Sequence, residues 1–247
     1  MVLLLGCGHG EAARPQPKAS PAPQAEAQPA PAKKKKFSDD ITDYMGSHFA
    51  VAVFAHDRLV EGDLEALREP LAEFARYRYD DVAPGSWMPW LAQIQEAARL
   101  ASEAQTIESA ASAVAAIAED CGGCHVAHGS GPHVVGPPHA PTTGRQETMP
   151  ARMHRHAWAI DQLWEGLVVP SDRAWSAGAK ALADGSSKLA AGESSDERFI
   201  QLLDEMRTLA SGAVESTSAA QRAQTYAALL ARCGGCHARA EVTHLDW

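Results

Sequence analysis

The 247-residue chain has no run of eighteen apolar residues, so no segment of it is suited to crossing a bilayer as a helix. It has no convincing alternation of apolar and polar positions, which argues against a sheet-based fold. Aromatic residues make up only 6% of it, and the 45% hydrophobic content is rich in alanine. Basic residues are scarce beyond the start. Of 22 Lys and Arg and 31 Asp and Glu, the first 36 positions hold six and two, so the remainder carries a net charge of -13. Such a surface argues against a nucleic-acid or anionic-membrane binding face and makes any electrostatic partner basic. Cysteine is sparse too, with five residues: Cys7, Cys121, Cys124, Cys233 and Cys236.

What is present is helical periodicity. Residues 11–32 are mostly Pro, Ala, Gln and Glu, followed by the basic block Lys33–Lys36. Burial there is too small to offset the entropy of ordering, so 1–36 is expected to be a flexible spacer. From Phe37 onward, Met45, Phe49, Ala52 and Leu59 recur at intervals that suit a helix over 41–60. Asp63 is placed to cap a second helix reaching about Arg76, Ser86 a third with Pro89 in its first turn, and Thr106 a fourth. Alanine-rich sequence leaves open one continuous helix through the third-to-fourth junction. The fourth carries the stripe Ala111, Val114, Ala118 and Cys121.

The pattern then repeats. Met45-Gly-Ser-His48 answers to Met153-His-Arg-His156 at an offset of 108 residues, and Cys121-Gly-Gly-Cys124-His125 to Cys233-Gly-Gly-Cys236-His237 at 112. The repeat predicts an all-α chain of two tandem four-helix units, 37–130 and 148–247, joined by the proline- and glycine-rich segment 131–147. The second unit is predicted to run through about 151–168, 171–190, 196–211 and 218–236. Each unit is small and alanine-rich, and its core gains from a large apolar group placed inside it.

Two thiols three positions apart can add across the vinyl groups of a porphyrin, and the adjacent histidine then reaches the iron. Cys-x-x-Cys-His is the c-type haem attachment pattern. Two identical copies, each ending a predicted helix, predict two covalent haems on Cys121, Cys124, Cys233 and Cys236, with His125 and His237 as proximal ligands. One tetrathiolate zinc site is the competing reading, but it leaves both histidines unexplained. A thioredoxin-like dithiol is the other, but that motif belongs in a strand-helix unit.

These motifs are those of c-type cytochromes, and the layout resembles the four-helix-bundle cytochromes of the cytochrome c-prime kind, here duplicated over about 40–128 and 148–240. The resemblance implies electron transfer or diatomic-gas binding at haem iron, in an exported protein. For the distal position the favoured candidates are His48 and His156, with Met45 and Met153 as the alternative. If neither pair ligates, the irons are five-coordinate. His56 lies on the His48 face but answers to Trp164, which argues against a repeated ligand. His128, His133 and His139 are read as solvated loop residues of the linker, and Trp87, Trp90, Trp158, Trp164 and Trp175 as packing groups.

Leu4-Leu5-Gly6-Cys7 resembles the end of a bacterial lipoprotein signal. Cys7 is therefore a candidate lipidation site, the given start is expected to lie downstream of the true one, and the expected location is the periplasm or cell envelope. The favoured function is electron carriage with basic redox partner proteins. There is no expected nucleic-acid partner, and membrane contact would come only through an anchor at Cys7. Gas binding at a five-coordinate iron is the runner-up. A dihaem peroxidase is a weak third, since no acid-base constellation stands out.

Overall fold

The computed structural model describes residues 39–79, 83–129, 131, 141, 148–184 and 197–239. Cys7, the 1–36 segment, His9, His133, His139 and His244 lie outside the described residues. Among the described residues the regular structure is wholly helical: α1 (Asp39–Glu61), α2 (Arg68–Ala75), α3 (Met88–Ser102), α4 (Ile107–His128), α5 (Met149–Val168), α6 (Asp172–Ala183), α7 (Glu197–Ala213) and α8 (Ala219–Arg239). The expected all-α class is what the chain adopts.

Local chemistry explains most boundaries. Thr106 has extended backbone, and its hydroxyl accepts from the Ser109 amide while the Ser109 hydroxyl accepts from the Thr106 amide. This reciprocal cap starts α4 and breaks the alanine-rich run after Ser102. Ser171 caps α6 through the Ala174 amide, and Ser218 with Gln221 forms a capping pair ahead of α8. Two expected starts are corrected. Asp63 accepts from the Ala66 amide, but α2 begins only at Arg68. Pro70 has no N–H to give Ala66, so the helix starts where Pro70 falls in its first turn. Ser86 does not cap α3 but lies in a 3-10 turn, Gly85–Trp87, that leads into it. Trp87 drives this tightening by packing with Tyr79 and Leu91 in a small apolar cluster.

The expected division at 131–147 does not coincide with a break in the core. One cluster of buried side chains runs from Ala52 in α1 to Ala231 in α8. The motif-bearing helices α4 and α8 pack along each other, with Ala115 on one and Ala223, Ala227 and Ala231 on the other. Small side chains let the two backbones approach closely. Packing also joins α1 to α8 and α4 to α5, across the repeat. Near the middle, His56 of α1 and Trp164 of α5, which hold equivalent positions in the repeat, stack at 5.4 Å between ring centroids.

Candidate functional site

Each Cys-Gly-Gly-Cys-His segment is helical and lies near the C-terminal end of its helix. Helical spacing sets the two cysteines, three positions apart, on one face, with the histidine beside the first. Both segments open onto apolar pockets, and each pocket also holds the Met-x-x-His pair of its own half.

The first pocket encloses about 800 Å³, its mouth included, and is lined by Cys121, His125, Met45 and His48 together with Phe49, Ala52, Phe74, Tyr79, Leu91, Ile94 and Val168. The second, of about 470 Å³, is lined by Cys233, Cys236, His237, Met153 and His156, with Val60, Ala157, Ile160, Leu202, Leu203, Met206 and Arg232. The residues singled out from sequence thus come together, four in the first pocket and five in the second. Cys124, one turn from Cys121, shares its helical face.

His125 and His237 are anchored in the same way. Nδ1 of His125 lies 2.7 Å from the Val168 carbonyl oxygen, and Nδ1 of His237 lies 2.6 Å from that of Val60. A carbonyl only accepts, so each ring donates its Nδ1–H and is held in the tautomer whose Nε2 carries the lone pair. That is the tautomer a metal-ligating imidazole uses.

The distal candidates are held neutral. Burial lowers His48 to about 4, and burial with the charges of Arg155, Arg152 and His237 lowers His156 to about 3. The His48 ring sits among Tyr44, Phe74, Tyr77 and Tyr79, with centroids 4.1–5.2 Å away, and its buried Nδ1 makes no hydrogen bond. His156 is placed beside two buried guanidiniums instead. Arg155 donates to the Ala181 carbonyl, and Arg152 is 1% exposed. The two pockets therefore share a plan, while the surroundings of the two histidines differ: aromatic rings around His48 and buried arginine charge near His156.

The four motif thiols form no disulfide. Burial pushes the Cys121 and Cys233 thiols up to about 12, with neighbouring Asp120 and Cys124 adding at Cys121 and Cys236 adding at Cys233. A dithiol oxidoreductase needs the reverse, a thiol pKa lowered toward neutrality. Cys121 lines one pocket and Cys233 with Cys236 the other, and among the described residues no three His, Cys, Asp or Glu side chains converge as a metal site. The tetrathiolate arrangement is not formed. A porphyrin fits what is present: paired thiols, an oriented imidazole and an apolar recess with a second imidazole or thioether on its wall.

Other residues need correction or addition. His128 is not a linker residue. It lies in the last turn of α4, half-buried, with its ring 5.8 Å from that of Trp87, because α4 continues past the motif until Gly129 terminates it in the left-handed conformation, φ 56°. His56 is 3% exposed, lies 2.9 Å from Asp57 through Nδ1, stacks on Trp164 and Tyr226, and lines neither cysteine pocket. Trp175 is fully buried and donates to the Ala213 carbonyl at 2.8 Å, while Trp90 packs against Gly123 of the first motif. Sequence reasoning missed Val60, Val168, the tyrosine cluster and the Arg152–Arg155 pair. Only the arginines left a sequence signal, two cations at i and i+3 beside the Met-x-x-His pair. No protein-family model matches the chain, and no curated protein or solved structure matches it either.

Proposed function

We propose that this chain is a dihaem c-type cytochrome that carries electrons, built as two four-helix units in tandem. One observation carries the reading. Each attachment motif opens onto an apolar pocket that also holds the repeated Met-x-x-His pair, although more than 70 residues separate the two in sequence. The raised thiol pKa values and the separation of the cysteine pairs weigh against dithiol and zinc chemistry.

When bound, haem iron supplies a one-electron couple. Cys121 and Cys124 would hold the first porphyrin through thioethers, and Cys233 and Cys236 the second. His125 and His237 offer Nε2 from rings fixed by their Nδ1–H bonds. His48 and His156, kept neutral on the walls of the same pockets, would supply the distal ligands, with Met45 and Met153 one turn away as the alternative. The surrounding helices exclude water and hold the ligands still across the redox change. His48 and Val60 border different pockets and lie twelve residues apart on α1, a separation of about 18 Å along the helix axis. His156 and Val168 give the same spacing on α5 in the opposite sense. Partners are basic redox proteins, and the compartment is the bacterial cell envelope, with Cys7 as a lipid attachment point.

The test is visible and magnetic spectroscopy on the full chain matured with covalent haem, repeated on His48→Ala and His156→Ala. The expected result is low-spin iron at both sites, lost at one haem per substitution. No change in either variant moves the distal role to the methionines, and absence of covalently retained haem absorbance refutes the reading. The larger first pocket favours a second reading there, a five-coordinate iron that binds diatomic gases. High-spin iron at that site with rapid carbon monoxide binding would establish it.

A further inference from the structure

The anchors of the two proximal histidines cross between the halves. His125 belongs to the first motif, yet it donates to Val168, the last residue of α5 in the second half. His237 belongs to the second motif, yet it donates to Val60, at the end of α1 in the first half. The side chains cross in the same way: Val168 lines the pocket of Cys121 and His125, and Val60 lines that of Cys233 and His237. Val60 and Val168 hold equivalent positions, 108 residues apart, so the exchange is reciprocal. The last four carbonyls of a helix have no partner within it and carry the negative end of its dipole. Each histidine N–H therefore meets a strong acceptor that the helix leaves unused.

The first glycine of each motif makes the crossing possible. A Cβ on Gly122 would collide with the Leu167 carbonyl of α5, and one on Gly234 with the Leu59 carbonyl of α1. Leu59 and Leu167 again hold equivalent positions. Only a glycine lets each motif helix press against the end of the other half's first helix.

We propose that the two haem sites are built crosswise: the end of α1 positions the proximal ligand of the second haem, and the end of α5 that of the first. This rests on the dihaem reading above. Each long helix then serves both sites, offering a distal candidate, His48 or His156, near one end and a proximal anchor at the other. A hydrogen bond from the ligand's ring N–H to a carbonyl makes the imidazole a stronger donor and stabilises the oxidised iron. The sequence around α1 thus sets the potential of a haem attached more than 170 residues away.

The test uses the full chain with both haems, titrated for its two midpoint potentials, the steps being assigned with His48→Ala and His156→Ala. Gly62 follows α1 with φ +78°, and a Cβ there would lie 2.5 Å from the Gly234 carbonyl oxygen. Gly62→Ala pries α1 from α8. It is expected to raise the potential of the second haem and speed exchange of the His237 ring N–H seen by paramagnetic NMR, leaving the first haem unchanged. Val168→Ala is expected to move the first haem alone. Val60→Ala repeats the second-haem test with a milder change should Gly62→Ala fail to fold. Shifts confined to the haem of the substituted half, or no shift in either, overturn the crosswise assignment while the dihaem reading stands. A chain that keeps no covalent haem overturns both.

Discussion

Asp120 precedes Cys121, and burial, with Glu119 adding, raises its carboxyl from 3.8 to about 6. Asp120→Asn keeps the shape and removes the ionisation. The folded pKa lies above the unfolded one, so between about pH 4 and 6 the folded chain retains a proton that the unfolded chain has released. Stability is lost as pH rises through that window. A carboxyl held that far above its ordinary value corresponds to about 3 kcal/mol, and partial solvent access reduces this to about 1–2 kcal/mol. The asparagine variant should match the parent at about pH 3.5 and exceed it by about 1–2 kcal/mol at about pH 7. Urea unfolding of both proteins, followed by far-UV circular dichroism across that range, measures the difference. A constant offset at all pH values, or a less stable variant at neutral pH, refutes the reasoning. Under the dihaem reading the same substitution removes negative charge beside the first haem and raises its potential.

Further outcomes are expected elsewhere. Without haem, His48 and His156, lowered to about 4 and about 3, remain neutral in the fold where the unfolded chain protonates near 6.5. Stability of the haem-free chain should therefore fall as pH drops from about 6.5 toward 3–4, and His48→Phe should flatten the upper part of that slope in acid titration. Trp175→Phe leaves the Ala213 carbonyl without its 2.8 Å donor inside the core and should cost about 1–3 kcal/mol in denaturant unfolding. Thr106→Ala removes the reciprocal cap of α4 and should cost about 1 kcal/mol by the same measurement, with Thr106→Ser restoring most of it.

The helices were legible because their signals are local. Thr106 and Ser171 carry side chains that cap, and Ala111, Val114 and Ala118 recur at helical spacing and are fully buried. Met45, His48 and their counterparts were found as a repeat, and the pockets give that repeat a common location. The sequence could not show that His125 and His237 reach across to the opposite half, because a main-chain carbonyl leaves no residue signature. His128 was misplaced because loop-forming glycine and proline start just after it, while α4 runs on to Gly129. The tyrosines around His48 come from α1 and the segment after α2, a juxtaposition that depends on how α2 turns back. Asp63 does take a main-chain amide, that of Ala66, but only in the turn before α2, because the proline seven positions on sets where the helix can start.

The reciprocal anchoring of His125 and His237 bears on how such a molecule could be assembled. Two separate copies of a single unit could satisfy these contacts only as an isologous dimer, each subunit completing its partner's site, with His56 and Trp164 meeting at the twofold axis. Fusing the copies replaces a concentration-dependent association with an intramolecular one. It also frees the twins to diverge: Asp120 in one answers to Arg232 in the other. A symmetric assembly must carry every substitution twice, whereas under the dihaem reading this chain can retune one site and leave its neighbour as it was.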